Sequence, residues 1–204
     1  MTMITKPVLV AYTTNSGSTQ EVAQAIGETL SRTGCRAEVR RVEEVASLDG
    51  FGAVIVGGPM ILGWHRAARR FVARNHQALQ RVPVAFFCTA MSLTQPGEAT
   101  WAGIPIAVDP KLAKAPKDPR RPSLRERYAS VGGYLRPILK AGGSLQPVGA
   151  AFFGGKLDLM QLSLPAQLFV MLVVQARPGD LRNWSFIRGW ATDLGSAWVK
   201  AGEA

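Results

Sequence analysis

The chain is poor in residues that carry reaction chemistry by themselves. Among 204 residues there are two histidines, His65 and His76, and two cysteines, Cys35 and Cys88. Neither histidine has a Cys, Asp or Glu at ligand spacing, so no metal site is expected. The cysteines are too few and too far apart for a disulfide framework, which fits a reducing compartment. No GxSxG is present, and no two acids stand out as an acid–base couple. Glycine–lysine phosphate loops and the GxGxxG fingerprint are also missing, which excludes the usual nucleoside-triphosphate and dinucleotide sites. No apolar run is long enough to span a bilayer: the most apolar stretch, Leu162 to Val174, is interrupted by Ser163, Pro165 and Gln167.

Acidic residues are scarce too. Fourteen Asp and Glu face 24 Lys and Arg, a formal charge of +10, which attracts anionic partners such as acidic lipid or a carboxylate-bearing substrate. The aromatics fall at expected core positions rather than among the basic residues, so nucleic-acid binding would rest on charge alone and is not expected. The N-terminal residues run almost at once into an apolar strand, and no cleavable leader is expected. A cytoplasmic protein, or one peripheral on the cytosolic face of a membrane, is the expectation. An apolar fraction of 47% excludes wholesale disorder, and the length suits one α/β domain over residues 1–204.

What is present alternates strand and helix. Val8 to Tyr12 reads as a buried strand, and Val22, Ala25, Ile26 and Leu30 place a helix after it, ending at Thr33-Gly34. Arg36 to Val42 alternates like an edge strand, and Ala53 to Val56 is a continuous apolar run like a central parallel strand. That strand is expected to stop at Gly57-Gly58-Pro59. One helix follows through Ala68, Phe71, Val72, His76 and Leu79, with Arg66, Arg69, Arg70 and Arg74 on its other face; a fourth strand covers Val82 to Cys88. Residues 95–122 hold six prolines and five basic residues and read as a long loop. Helix resumes over Ser123 to Lys140, interrupted at Gly132-Gly133 and Pro137. A last strand spans Gln146 to Phe153, an apolar insertion covers about 154–182, and a closing helix begins at an Asn183 cap. The insertion's apolar middle is either a surface-lying segment or additional core.

Strands alternating with helices imply a doubly wound parallel sheet, whose ligands bind outside the carboxyl ends of the strands. Three loops converge on that edge. The first, Thr13-Thr14-Asn15-Ser16-Gly17-Ser18-Thr19, opens a helix, where free N–H groups, the dipole and hydroxyls together suit a phosphomonoester. A Ser/Thr-rich helix cap without ligand is the competing reading. The second, Pro59-Met60-Ile61-Leu62-Gly63-Trp64, keeps large apolar side chains at the edge; the third is Thr89-Ala90-Met91-Ser92. Together they would hold a phosphate at one end and an aromatic ring at the other, Trp64 serving either to stack on that ring or to anchor the next helix in the core. With no acid, base or nucleophile singled out, a redox cofactor that supplies its own chemistry is favoured.

The Ala11 to Thr19 segment, with Val22-Ala23 and Ile26-Gly27, resembles the phosphate loop and first helix of flavodoxin-like proteins. Val56-Gly57-Gly58-Pro59-Met60, Gly63-Trp64-His65 and Val82 to Phe87 are similar to the menaquinone-dependent protoporphyrinogen IX dehydrogenase branch. So are Gly149 to Gly155 and Gly179-Asp180-Leu181-Arg182-Asn183-Trp184. The chain departs from that branch at Gly58-Pro59 and in its Pro/Lys/Arg-rich segment. The resemblance implies a five-stranded parallel sheet of order 2-1-3-4-5 with an insertion after or within the last strand. It also implies FMN as cofactor, held by the residues of the three loops, with a quinone as electron acceptor and an anionic small-molecule substrate, protoporphyrinogen IX in particular. The insertion would dock on membrane or substrate. A flavodoxin-type electron carrier and a cofactor-free interaction module are the alternatives.

Overall fold

The structure is a computed structural model that describes residues 6–60, 63–94, 99–118, 120–121, 123–143, 145–158 and 178–200. Strand β1 (Val8–Tyr12) leads into α1 (Ser18–Arg32), then β2 (Ala37–Arg41), a 3₁₀ turn at Val42–Glu44, and β3 (Ala53–Pro59). Helices α2 (Arg66–Arg74) and α3 (His76–Leu79) follow, then β4 (Val84–Ala90). Short strands β5 (Leu93–Thr94), β6 (Thr100–Trp101), β7 (Ile104–Val108) and β8 (Ala113–Lys114) precede α4 (Leu124–Tyr128) and α5 (Val131–Gly142). The chain then forms β9 (Gly149–Gly154), β10 (Lys156–Leu157), β11 (Gly179–Asp180) and α6 (Trp184–Lys200).

The main sheet has the order β2-β1-β3-β4-β9-β7-β6. The order expected for five strands is present as its first five members, and β2 is the edge strand its half-buried pattern suggested. The sheet is wider than expected, because β7 lies parallel to β9 through Ile106↔Ala150, Ala107↔Ala151 and Val108↔Phe152, and β6 pairs antiparallel with β7. Residues 95–122 are therefore not simply a loop. The alternation Ile104, Ile106, Val108 is short and holds Pro105, and proline in a run argues against a strand. Here Pro105 sits opposite Thr100 in β6 and the ladder to β9 starts one residue later, at Ile106.

Other boundaries moved for local reasons. β3 continues through Gly57, Gly58 and Pro59, because Phe87, Cys88 and Thr89 of β4 supply ladder partners there. β4 is displaced two residues toward the C-terminus of the expected span. The single expected helix after β3 divides at Asn75, whose Nδ2 donates to the Phe71 carbonyl (2.9 Å). The 123–140 helix divides ahead of its glycine pair, because the Ser130 hydroxyl accepts from Gly133 N–H (3.0 Å) and caps α5. Asn183 caps α6 as expected, its Oδ1 accepting from Phe186 N–H (3.4 Å).

Each strand sends alternate residues to opposite faces. Leu9, Ala11, Val54, Val56, Phe86 and Phe152 meet α2, α3 and α5 on one side; Val8, Val10, Ile55, Phe87 and Phe153 meet α1 and α6 on the other. Among the described residues the central strands are covered on both faces, which leaves the sheet's ends and the loops there open to a ligand.

Candidate functional site

The parallel strands bring the carboxyl ends of β1, β3, β4 and β9 to one edge, and the register makes that edge stepped. Tyr12, the last residue of β1, lies opposite Gly57, while β3 runs two residues further to Pro59. β4 keeps pace with β3, Pro59 facing Thr89, and β9 keeps pace with β4, Gly154 facing Ala90. At about 3.3 Å per residue, the 13–19 loop lies some 7 Å below the loops after β3 and β4. It is anchored by Thr13 N–H to the Gly57 carbonyl (3.0 Å), and the upper step is extended by Met60 N–H to Thr89 O (2.9 Å).

Within the lower loop, Thr14 Oγ1 accepts from Gly17 N–H (2.9 Å) and closes a tight turn. Gly17 caps α1 with φ of 85°, a left-handed conformation that strains other residues, and it provides no side-chain cap bond. The first-turn N–H groups of α1 thus lack the acceptor that a capping Ser or Asp would give them. Thr13 is 1% exposed and its Oγ1 has no hydrogen-bond partner, a cost that a buried hydroxyl incurs unless something completes it. Gly58 accommodates it: a Cβ there would come 2.7 Å from Thr13 Oγ1 and 3.1 Å from Trp64 Nε1. Thr19 Oγ1 and Thr89 Oγ1 are 2.9 Å apart, both buried, which ties the first helix to the end of β4. Asn15 is exposed, and Ser16 and Ser18 are half-buried beside it. An uncapped helix start, an orphaned hydroxyl and neighbouring serines fit the phosphate of FMN.

The upper step has a different character. Met60 and Trp64 bridge antiparallel, folding the loop back on itself, with Gly63 at a φ of 117°. Ile61 and Leu62 lie outside the described residues. The stacking role considered for Trp64 does not match its position. Trp64 is 2% exposed, edge-on to Phe86 at 5.7 Å between centroids, and belongs to the core under α2. It is the anchor of the helix start, and its Nε1 is left without a partner. His65 is likewise occupied: Nδ1 accepts from Ala67 N–H (3.2 Å) and caps α2, and burial lowers its pKa toward the neutral form. Pro59 remains half-buried at the edge and Met60 is nearly covered.

In the third loop Thr89 and Ala90 are strand residues and buried, Met91 is half-buried, and the Ser92 carbonyl accepts from the Tyr134 hydroxyl (2.9 Å). Of the expected site residues, the structure thus gathers Thr13 to Thr19 with Thr89 into one constellation, and leaves Pro59, Gly63, Met91 and Ser92 partly accessible above it.

Several residues near this edge went unnoticed in the sequence. Lys156 and Asp158, at the base of the insertion, share a recess with Ser16, Ser18 and Glu21. Arg182 pairs with Glu21 (2.8 Å) and Asp180 (2.6 Å) and lies 4.7 Å from the centre of the Trp184 ring. The hydrogen bonds that Arg182 donates to the Asp180 carboxylate lower its pKa. Asp109 follows β7 and is fully buried, its Oδ1 accepting from Lys111 N–H (2.9 Å) and Asn183 Nδ2 (3.1 Å). The sequence marks Lys156 only as a basic residue flanking the apolar stretch, and Asp180 and Arg182 only within the Gly179 to Trp184 motif. The Leu162 to Val174 segment lies outside the described residues. No helix among the described residues is long and apolar enough to cross a membrane.

A family profile described as the flavodoxin domain matches residues 9–181. The protoporphyrinogen IX dehydrogenase [quinone] of Escherichia coli K12 is 25% identical over 95 residues, covering 45% of this chain and 52% of that protein. The chain thus spans about half the length of the curated relatives it matches. Among solved structures, the rubredoxin:oxygen oxidoreductase of Desulfovibrio gigas superposes with a TM-score of 0.52 at 14% identity, over 96% of this chain and 37% of that one. An archaeal flavodoxin matches with a TM-score of 0.48 at 13% identity, over 97% and 99% of the two chains.

Proposed function

The chain belongs to the flavodoxin domain family, and from that premise we propose that it is an FMN-dependent oxidoreductase passing electrons from a reduced substrate to a quinone. Its cofactor is FMN. The observation that carries the reading is the lower step of the sheet edge: an uncapped α1 start beside the orphaned, buried Thr13 hydroxyl. The N–H groups of the first turn and the Thr13, Thr14, Ser16 and Ser18 hydroxyls would hold the phosphate. The Thr19–Thr89 bond keeps that loop in fixed relation to the β4 loop, where Met91 and Ser92 would border the ring alongside Pro59 and Gly63. Bound FMN supplies the electron-accepting chemistry; the chain's own part is to bind, orient and exclude water, and no side chain is assigned as acid or base.

Protoporphyrinogen IX is the substrate this reading names. Similarity to a quinone-linked dehydrogenase supports it, and so does a strongly positive protein that would attract propionates. The same charge supports peripheral attachment to an anionic membrane surface, where a quinone resides. Arg66, Arg69, Arg70 and Arg74 on α2, with Arg136 and Lys140 on α5, are all exposed, and neither helix holds an acid.

The absorbance spectrum of the purified protein is the first test: a flavin spectrum, or its appearance on adding FMN, is expected. Anaerobically, the reduced protein should be reoxidised rapidly by a soluble quinone and should oxidise protoporphyrinogen when quinone is present. A colourless protein that takes up no FMN would end the redox reading. Rapid reoxidation by a one-electron protein acceptor but not by quinone would end the quinone assignment.

A further inference from the structure

Two large apolar side chains of α4 face solvent. Among the described residues, Leu124 is 81% exposed and Tyr128 is 62% exposed. They stand one helical turn apart and so share a face of the helix. A scattered surface leucine needs no explanation, but this pair has a charged setting. Residues 111–128 hold seven basic residues and two acids. Lys114, Lys117, Arg120, Arg121 and Arg127 are exposed. The acids are turned to the backbone: Asp118 accepts from Arg120 N–H (2.8 Å), and Glu126 accepts from the N–H groups of Lys117 (2.8 Å) and Ser123 (2.7 Å). Glu126 thereby folds the basic stretch back onto the first turn of α4, beside Leu124.

The fold ties this patch to the ligand end of the sheet. Strand β5 leaves the 89–92 loop, its Thr94 N–H donates to the Ala129 carbonyl, and Thr94 and Ser130 form a parallel bridge. At the start of the basic stretch, β8 pairs with the same strand through Leu93↔Ala113 and Thr94↔Lys114. Thr94 is about 7 Å along the chain from Ser92. The Tyr134 hydroxyl on the Ser92 carbonyl (2.9 Å) is a second tie to that loop. In the other direction α4 runs into α5 at the Ser130 cap, and α5 packs on α2, so the patch continues their basic layer.

We propose that α4 is the element by which this protein enters an anionic membrane surface, Leu124 and Tyr128 dipping below the headgroups while the basic stretch lies against them. Positive charge recruits the protein to such a surface, and apolar side chains that leave water supply the second signal that stable attachment needs. Tyrosine suits this depth, because its ring is apolar and its hydroxyl stays wet. A second copy of the chain would set like charge against like, whereas anionic lipid complements the patch. Docking there brings the 89–92 loop, at the ring end of the cofactor site, toward the bilayer in which a quinone resides. This inference rests on the reading of peripheral attachment and adds the element that reaches into lipid.

The test is cosedimentation of the whole chain with vesicles of phosphatidylcholine and phosphatidylserine in equal parts, and with phosphatidylcholine alone. Leu124→Ser combined with Tyr128→Ser should weaken binding to the mixed vesicles about tenfold. Leu124→Trp should strengthen it, and thermal unfolding should be unchanged in both variants because the side chains are exposed. The deficit of the double variant should persist in raised salt, which screens the basic residues and spares apolar contact. Binding of the double variant equal to wild type would overturn this inference and leave attachment by charge standing. A double variant that sediments differently without lipid, yet binds vesicles as wild type does, would make the pair a contact between copies and overturn it too. Equal binding of wild type to both vesicle types would overturn the choice of anionic lipid. A wild-type protein that ignores the mixed vesicles would remove peripheral attachment itself, and this inference with it.

Discussion

Beneath α2, α3 and α5 the sheet buries Leu9, Val54, Val56, Phe86 and Phe152; beneath α1 and α6 it buries Val8, Val10, Ile55, Phe87 and Phe153. The two interiors are of one kind, aliphatic near β1 and β3 and aromatic toward β4 and β9. The outer surfaces are not. Helices α1 and α6 hold Glu21, Glu28 and Asp193 against Arg32 and Arg188, all exposed, while α2, α3 and α5 hold six basic residues and no acid. Packing accounts for the first similarity and has no bearing on the difference, because a solvated side chain contributes little to a core of this size. An outer layer of one sign costs self-repulsion, which points to use rather than to folding.

The equality of the interiors is open to the largest effect. Phe71→Ala under the basic layer and Trp198→Ala under the neutral one remove fully buried rings, 2% and 1% exposed, and each should cost about 3–5 kcal/mol. Urea unfolding of both variants checks this. A loss at Phe71 far below that at Trp198 would show that the basic layer is loosely held.

The inequality of the exteriors comes next. Neutralising Arg69, Arg70 and Arg74 to Gln should weaken binding to vesicles rich in anionic lipid by roughly 100-fold, at about 1 kcal/mol for each basic residue near the surface. Neutralising Arg32 and Arg188 in the same way should leave vesicle binding unchanged. Cosedimentation measures both, and thermal unfolding should move little in either variant. Equal losses from the two faces would mean that net charge matters and its placement does not.

A smaller effect separates the ligand end from both interiors. Thr13→Val removes a buried hydroxyl with no partner, so the apoprotein should be as stable as wild type or up to about 1 kcal/mol more stable. FMN affinity should nevertheless fall, since the hydroxyl is proposed to be completed by phosphate. Paired urea and flavin titrations distinguish that from a general packing role.

The smallest effect concerns α4, beside the basic layer. Glu126 accepts from Lys117 N–H and from the N–H and hydroxyl of Ser123, which lowers its pKa to about 2. A depressed carboxylate contributes stability above its unfolded pKa and loses it as pH falls through the folded one. Protection of the Ser123 amide should therefore persist below the ordinary carboxylate range and disappear near pH 2, as amide exchange across an acid series would show. Loss at an ordinary glutamate pH would mean that the cap is not formed.

Local chemistry determined a good deal of this protein from the sequence alone. The apolar runs at Val8 to Tyr12 and Ala53 to Val56 and the helical spacing from Val22 to Leu30 are short-range signals. So is the hydroxyl-rich turn between the first strand and helix, because strand, turn and cap preferences act over a few residues. What only the tertiary structure decided involves partners distant in sequence. Pro105 speaks against a strand locally, yet β9 accepts the segment beside it. Trp64 reads equally as a ring platform or an anchor until Phe86 is seen beneath it. Lys156 reads in the sequence only as a basic residue flanking the apolar insertion; its place beside Ser16 and Ser18 follows from the Gly155 bond to Ala90 and the pairing of Lys156 with Asp180. Asymmetry between the faces was hidden for the same reason. The α2 arginines were visible along one helix, but which helices share a side depends on how the chain crosses the sheet.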